Sequence, residues 1–365
     1  MPDPPLLVRR GRLADGREII YYDERVVPTP PPIDRRPLSS DAPRPQVRFD
    51  PLAGEWVAVA SFRQERTHLP PAGACPLCPS APGRLTEVPA ADYDVVVFEN
   101  RFPSFAGAGY PLPEEAERWG RPEPAPGRCE VVCFSSDHRQ SLGWLGRRRL
   151  RTVVDMWAHR TEELSRRPEV EQVLCFENRG EEIGVTLSHP HGQIYAYPFV
   201  APRTRVQMGR ASRHHQRTGT CLFCDLVRHE TGDGTRIVAR APGWVAFVPF
   251  AARWPYEVHV YPTRHVGDLC RLDAGERDSL AELLSRVLPS LDGLFARPMP
   301  YVLAWQQSPV RAAPEAFHLH AEISSPRRSA DRLKYLAGSE TAGGVFINDV
   351  LPEEGAARLR TATPR

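Results

Sequence analysis

One feature limits what this chain can fold into more than any other: it is written twice. A Cys-x-x-Cys pair, "CPLC" at Cys75 and Cys78, is followed by two strand-like stretches, "DYDVVVFEN" and "EVVCFSSDH", the second ending at His138. A second pair, "CLFC" at Cys221 and Cys224, is followed by "GWVAFVPF" and "EVHVYPTRH", ending at His265. Each half then carries a helical period. Leu150, Val153, Val154, Trp157 and Leu164 hold one face in the first, and Leu280, Leu283, Leu284, Val287 and Leu291 in the second, where Asp273 is placed to cap the helix. Each helix leads into a strand, "VLCFENRG" or "YVLAWQQS", and each half closes on a His-x-His strand, "SHPHGQIYAY" or "FHLHAEIS". The order strand, strand, helix, strand, strand, twice over, predicts an α+β fold of duplicated repeats, mainly antiparallel sheet with helices packed on it.

The segment Pro202–Gly219 shows no sustained periodicity, so the boundary is placed there, dividing the chain into residues 1–205 and 206–365. Residues before about Arg44, rich in proline and arginine, read as an extended arm, and "LPEEGAARLR" as a short terminal helix.

A chain of 365 residues can bury its core without disulfides. With 47 Lys+Arg against 45 Asp+Glu there is no global field to recruit nucleic acid or a membrane surface. The N-terminus lacks the apolar centre of a signal peptide, and no run approaches the roughly 18 apolar residues of a membrane span. A cytoplasmic location is expected, where eight cysteines serve as thiols or metal ligands rather than disulfides. A lone CxxC could be a packed pair of small side chains, a redox motif or half of a zinc site. Repetition favours zinc. His138 follows Cys78 by 60 residues and His189 follows His138 by 51; in the second half His265 follows Cys224 by 41 and His318 follows by a further 53. Two tetrahedral ligand sets result: Cys75, Cys78, His138 and His189, then Cys221, Cys224, His265 and His318. The remaining histidines at 68, 159, 214, 215, 229 and 259 lack such partners and read as surface or core residues.

If His189 holds metal, His191 lies two residues along the same strand with its ring free for chemistry. A neutral imidazole can attack phosphorus and form a covalent phosphoramidate. Gly192, without a Cβ, is expected to let a phosphate approach the backbone. Gln193 can donate hydrogen bonds but cannot act as an acid, which suits group transfer to a phosphate acceptor better than hydrolysis.

Beyond "HPHGQ", the stretches "FDPLAGEWVAVASFRQER", "VFENRFPSF", "CFSSDH", "FENRGEEIG" and "KYLAGSE" resemble the galactose-1-phosphate uridylyltransferase family, a two-repeat branch of the histidine triad superfamily, from about Phe49 to Arg360. The resemblance implies exchange of UMP between UDP-glucose and galactose 1-phosphate by a ping-pong route through a uridylyl-histidine at His191, with Gln193 bonding the phosphoryl oxygens. It implies that Asn100, Phe176, Asn178 and Thr186 meet the nucleotide and its phosphates, that Arg63 and Arg66 bind phosphate charge, and that Lys334, Tyr335 and Glu340 bind the hexose. In the family those arginines and that hexose segment come from the partner subunit, so a homodimer with shared sites is implied.

Some members carry an iron-type site of one glutamate and three histidines. Here Gln207, Gln306 and Glu322 stand at three of those places and only His320 remains, so two zinc ions and no iron are expected. Phe346 and Ser339 depart from the hexose-binding pattern, which leaves two other readings open: a nucleoside-monophosphate transferase or nucleotide phosphorylase with another phosphate acceptor, and a non-catalytic nucleotide-binding zinc protein.

Overall fold

The structure, a computed structural model, describes residues 6–39, 44–107, 120 and 122–362. The first half contributes strands β1 (Leu7–Arg12), β2 (Glu18–Asp23), β3 (Gln46–Asp50), β4 (Glu55–Val59), β5 (Val95–Glu99), β6 (Glu123–Pro124) and β7 (Arg128–Cys133). Helix α1 (Arg147–Ser165) and strands β8 (Gln172–Arg179) and β9 (His191–Tyr197) complete it. Helices α2 (Pro202–Thr218) and α3 (Leu222–Asp233) lead into β10 (Ile237–Ala241), β11 (Trp244–Phe247) and β12 (Val258–Pro262). Helix α4 (Ala274–Gly293), β13 (Tyr301–Gln306), β14 (His320–Ser324) and helices α5 (Gly338–Gly343) and α6 (Pro352–Thr361) finish the chain.

Eleven strands form one sheet in the order β1-β2-β5-β7-β9-β8-β13-β14-β12-β11-β10, and β4-β3-β6 form a small second sheet. Every pairing between these strands is antiparallel. The two halves meet where β8 pairs with β13. There Cys175 faces Trp305 and Phe176 faces Ala304, so exchanging the repeats maps the register onto itself: a pseudo-two-fold axis runs through the middle of the sheet. The same exchange relates His189 to His318, His191 to His320 and Gln193 to Glu322.

Helices α1 and α4 lie on one face. Their apolar stripes join Val132, Phe134, Val173, Ile194, Ala246, Val260, Leu303 and Ala321 in one core, through which Trp157 and Trp244 both touch Trp305 at ring distances of 6.0 and 6.2 Å. The expected cap of α4 is present as a full capping box between Asp273 and Glu276. The terminal helix is α6.

Two stretches carry more structure than their sequence suggests. The stretch Pro202–Gly219, in which the sequence shows no sustained periodicity, is helix α2: Pro202 opens it, Gly219 closes it with φ +72°, and it buries only Thr204 and Ala211, so it carries almost no apolar period. The described part of the N-terminal arm is not simply extended. Leu7–Asp23 fold as a hairpin that adds β1 and β2 to the main sheet against β5, so that the first repeat gains in β2 the strand that β10 supplies to the second.

Candidate active site

His191 opens β9, paired with Cys133 of β7, while Gln193 sits opposite Phe176 of β8. Along β9 the residues Gly192, Ile194 and Ala196 are buried and alternate with the half-buried His191, Gln193 and Tyr195. Ile194 and Ala196 point into the α1/α4 core, so His191 and Gln193 face the opposite side. The imidazole is oriented by its own strand: Nδ1 donates to the His189 carbonyl oxygen at 2.7 Å, which leaves Nε2 as the unprotonated nitrogen. Burial lowers the imidazole pKa, so the ring is held neutral, the form that attacks phosphorus.

Gly192 has a different reason from the one expected. A Cβ there would lie 2.6 Å from Phe134 Cζ and 2.7 Å from the Phe176 carbonyl oxygen, on the core side of the strand. The missing side chain lets β9 pack against the core; it does not open room on the ligand side.

A cleft of about 1050 Å³ runs past His191. It is walled by Asn178 and Arg179 at the end of β8, by Arg139 and Trp144 before α1, and by Asp292 and Met299 at and beyond the end of α4. The second repeat thereby closes the cleft of the first. The Asp292 carboxylate accepts from Arg179 at 2.7 and 3.1 Å, from the Trp144 indole at 2.8 Å and from the Met299 N–H at 2.8 Å. Beneath them Glu177, buried and bonded to Tyr301 Oη at 2.8 Å, is pushed up by desolvation to about 7. Sequence reasoning singled out Phe176 and Asn178 of "FENRGEEIG" but not Glu177 or Arg179 beside them. It gave no sign of Asp292.

The other candidates are distributed as follows. Asn178 lines the cleft with His191. The Phe176 ring meets Tyr195 edge-on at 5.1 Å. Arg63 donates to the Phe102 carbonyl and to Tyr195 Oη, which places it beside the exposed face of β9, and the Arg66 Nε donates back to the Arg63 carbonyl. Asn100, just past β5, accepts from the Phe102 N–H. Thr186 lies in the loop whose neighbours Val185 and Leu187 line the cleft. Lys334, Tyr335 and Glu340 are not brought to the His191 cleft of their own chain: Lys334 is ion-paired to Glu340 at 2.8 Å and Tyr335 is 73% exposed.

Both predicted ligand sets assemble. Within each, the four donor atoms lie within 4.8 Å of one another, and among the described residues these are the groups of three or more that could hold a metal. In the first, Cys78 Sγ lies 3.3 Å from His138 Nδ1 and 3.6 Å from His189 Nδ1; in the second, Cys224 Sγ lies 3.4 Å from His265 Nδ1 and 3.6 Å from His318 Nδ1. A zinc tetrahedron with Zn–S of about 2.3 Å and Zn–N of about 2.0 Å spaces sulfur and nitrogen about 3.5 Å apart, so the donor sets fit. The second nitrogens are spoken for: His189 Nε2 faces the Ser135 carbonyl at 2.9 Å and Tyr93 Oη at 3.0 Å, and His318 Nε2 faces the Pro262 carbonyl at 3.2 Å. Burial pushes His189 down to about 4, so the ring is neutral, as a ligand must be. Across the second pair, a hydrogen bond between the thiols pulls Cys221 down and pushes Cys224 up.

At the pseudo-equivalent of the nucleophile, His320 is fully buried, stacked on Tyr261 at 4.7 Å and 3.4 Å from the Glu322 carboxylate, which pairs with Arg203 at 2.6 Å. Gln207 reaches the same carboxylate at 3.5 Å, and Gln306 sits opposite His320 on β13.

The main sheet is built of two such repeats, each with a Cys₂His₂ group beside its His-x-His strand, and the cleft described above runs past the His-x-His strand of the first; together they define a duplicated α+β fold. The sequence comparisons place it further. The N-terminal domain profile of galactose-1-phosphate uridyl transferase matches residues 38–201 and the C-terminal domain profile residues 207–364. The chain belongs to this family. It is 44% identical over 365 residues to a galactose-1-phosphate uridylyltransferase of Streptomyces lividans, covering 96% of each, and 38% identical over 317 residues to one of Thermotoga maritima, covering 86% of this chain and 98% of that one. A solved uridylyltransferase structure superimposes with a TM-score of 0.77 at 36% identity, over 87% of this chain and 98% of the other. An ADP-glucose phosphorylase of Arabidopsis thaliana shares the fold, with a TM-score of 0.66 at 22% identity.

Proposed function

We propose that the chain transfers UMP between UDP-glucose and galactose 1-phosphate by a ping-pong route through a covalent uridylyl-histidine at His191. The observation that carries this reading is the orientation of His191, with Nδ1–H tied to the His189 carbonyl and Nε2 free beside the cleft. Nε2 attacks the α-phosphorus of UDP-glucose, the bond to the β-phosphoryl oxygen breaks, and glucose 1-phosphate leaves as an anion that needs no proton from the enzyme. Galactose 1-phosphate then attacks the same phosphorus, the P–N bond breaks, and UDP-galactose departs. Gln193, on the same face, donates to the phosphoryl oxygens, and Asn178 with Arg179 supplies donors at the cleft wall.

The first unit, 1–205, carries this chemistry, and the second, 206–365, closes the cleft. Each holds one zinc ion, which supplies a fixed anchor for the His-x-His strand and takes no part in the transfer; thiolate pairs with two imidazoles suit zinc over hard cations or iron. The working form is a homodimer: Lys334, Tyr335 and Glu340 stand apart from their own cleft, within a segment whose Tyr335, Val345, Ile347 and Leu351 are exposed apolar surface suited to a second copy. No described helix is long and apolar enough to cross a membrane, and all eight cysteines are free, which suits the reducing cytoplasm.

Incubation with UDP-glucose labelled at the α-phosphate tests the reading: acid-labile label should stay on the wild-type protein and not on His191→Asn. Loaded protein offered hexose phosphates, pyrophosphate or orthophosphate should be discharged by galactose 1-phosphate. Discharge by orthophosphate alone would make it a phosphorylase, and no labelling under single turnover would remove the covalent route.

A further inference from the structure

The first metal group differs from the second in what covers it. Cys75 and Cys78 are 1% and 6% exposed, whereas Cys221 and Cys224 are only half-buried. Part of the apolar packing around it comes from residues that lie before the stretch matched by the family profile, which begins at residue 38. Leu13, Ile19 and Tyr21 of the N-terminal hairpin complete one apolar cluster with Cys75, Leu77, Cys78, Val88, Ala90, Tyr93, Val96, Phe98 and Cys133, so the hairpin adds to the packing in which the thiol pair is buried as a lid would. The lid is also fastened. Arg17 and Arg36, one in the turn just before β2 and one in the strap after it, converge on the Glu87 carboxylate at 2.7 and 2.6 Å, and Asp15 and Asp34 brace the two guanidinium groups at 2.7 and 2.8 Å. Glu87 is tied to the metal turn through its backbone: its N–H donates at 2.9 Å to the carbonyl of Pro76, inside the CPLC turn. The next link is Thr86, whose hydroxyl donates to the Cys78 carbonyl at 2.6 Å. All four charged partners around Glu87 are largely out of water, so each is held by its hydrogen bonds rather than screened. Among the described residues, the apolar cluster behind the second thiol pair is drawn from the second repeat and α2 alone, with no counterpart of this lid.

We infer that the N-terminal hairpin and its Arg17–Glu87–Arg36 clasp form a clamp that makes the first metal ion slow to leave, and through it keeps the His191 strand in place, while the second ion exchanges freely. The inference rests on the two-zinc reading, and the two can fail separately. Zinc release from the purified full chain is followed with a chromogenic chelator in excess. Two phases of one ion each are expected, differing at least tenfold in rate; the fast phase should be missing in Cys221→Ser/Cys224→Ser. Arg17→Met/Arg36→Met should quicken the slow phase about tenfold and leave the fast phase alone. Should that pair fail to give a cooperative melt, Glu87→Gln, which keeps the backbone bond to Pro76 but weakens both ion pairs, should quicken the slow phase several-fold. Release of both ions in one phase from the wild type, or a slow phase unmoved in a folded clasp variant, would overturn the clamp. A single ion per chain would end the two-zinc reading alone if its release is hastened by the clasp variants, and would overturn both if it is lost in Cys221→Ser/Cys224→Ser.

Discussion

Replacing Gly192 with alanine separates two reasons for a glycine between the candidate nucleophile and Gln193. The new Cβ would stand 2.6 Å from Phe134 Cζ and 2.7 Å from the Phe176 carbonyl oxygen, where ordinary contact begins near 3.4 Å, so about 0.7 Å must be found. The carbonyl cannot easily retreat. Phe176 is a central residue of β8, paired with Gln193 on one side and Ala304 on the other. Phe134 is fully buried with its ring set against Trp157 at 6.1 Å. The relief falls on β9 itself. Overpacking of this kind costs about 1–3 kcal/mol, and the fixed backbone partner puts this case at the upper end, about 2–3 kcal/mol. Because the displaced residue sits between His191 and Gln193, a shift of some tenths of an ångström in the attacking nitrogen should lower kcat about tenfold or more, with a smaller change in KM. Urea unfolding and initial rates of UDP-galactose formation measure the two effects. Stability within about 0.5 kcal/mol of wild type together with a raised KM for UDP-glucose would refute the packing argument and restore the glycine as space for a phosphate.

Three further outcomes are expected. Metal analysis should find about two zinc ions per chain, falling by one in Cys221→Ser/Cys224→Ser with uridylyl transfer reduced but retained, since that group does not line the His191 cleft. Gln193→His should place an acid beside the covalent intermediate and raise hydrolysis of UDP-glucose relative to transfer, read as UMP released without acceptor. Glu177, with its folded pKa raised by burial to about 7 from an ordinary 4.5, keeps a proton that the unfolded chain has lost. Its contribution to stability is therefore complete below about pH 4.5 and lost as pH rises towards 7. The stability difference between wild type and Glu177→Gln should accordingly move against the wild type across that window, by an amount on the order of 2–3 kcal/mol. A difference that stays constant with pH would show that the carboxyl is already ionised in the folded protein.

What the sequence disclosed depended on how local the signal is. Ligand sets could be read because a CxxC turn and a His-x-His strand each announce two donors in adjacent residues, and the repetition paired them. Helices α1 and α4 could be read because each buries an apolar stripe. Helix α2 escaped because apolar period reports burial, and this helix buries two small residues; its ends, Pro202 and Gly219, carried the only signal. The N-terminal hairpin escaped for another reason. Its turn holds Asp15-Gly16, a recognised hairpin pair with Gly16 at φ +86°, and "EIIYYD" follows it, but the prolines further along dominated the reading of the whole segment. Of the cleft wall, Asn178 was read, but the part built across the two repeats was not. Arg179 and Asp292 lie 113 residues apart in different repeats, and only the pairing of β8 with β13 brings the end of α4 to the end of β8.

The comparison between repeats also separates what a metal would hold from what the proposed chemistry needs. His320 Nδ1 faces the His318 carbonyl at 2.9 Å, as His191 Nδ1 faces the His189 carbonyl at 2.7 Å. The orienting bond therefore survives where the ring is fully buried, and follows from a strand whose first histidine is turned towards a thiol pair. Two things separate the sites. The ring at 320 is covered by Tyr261 and Phe317, and the neutral amide at 193 is replaced by a carboxylate at 322, held well below its usual range by His320, His259 and Arg203. A carboxylate there cannot donate to a phosphate oxygen as an amide can, and it is already engaged by Arg203 and His320. Both repeats keep the four-ligand group and the oriented imidazole, yet only one keeps an open ring beside an amide. The shared geometry thus belongs to the architecture that a structural metal would hold, and the proposed chemistry rests on the access and charge at two positions, His191 and Gln193, built on top of it.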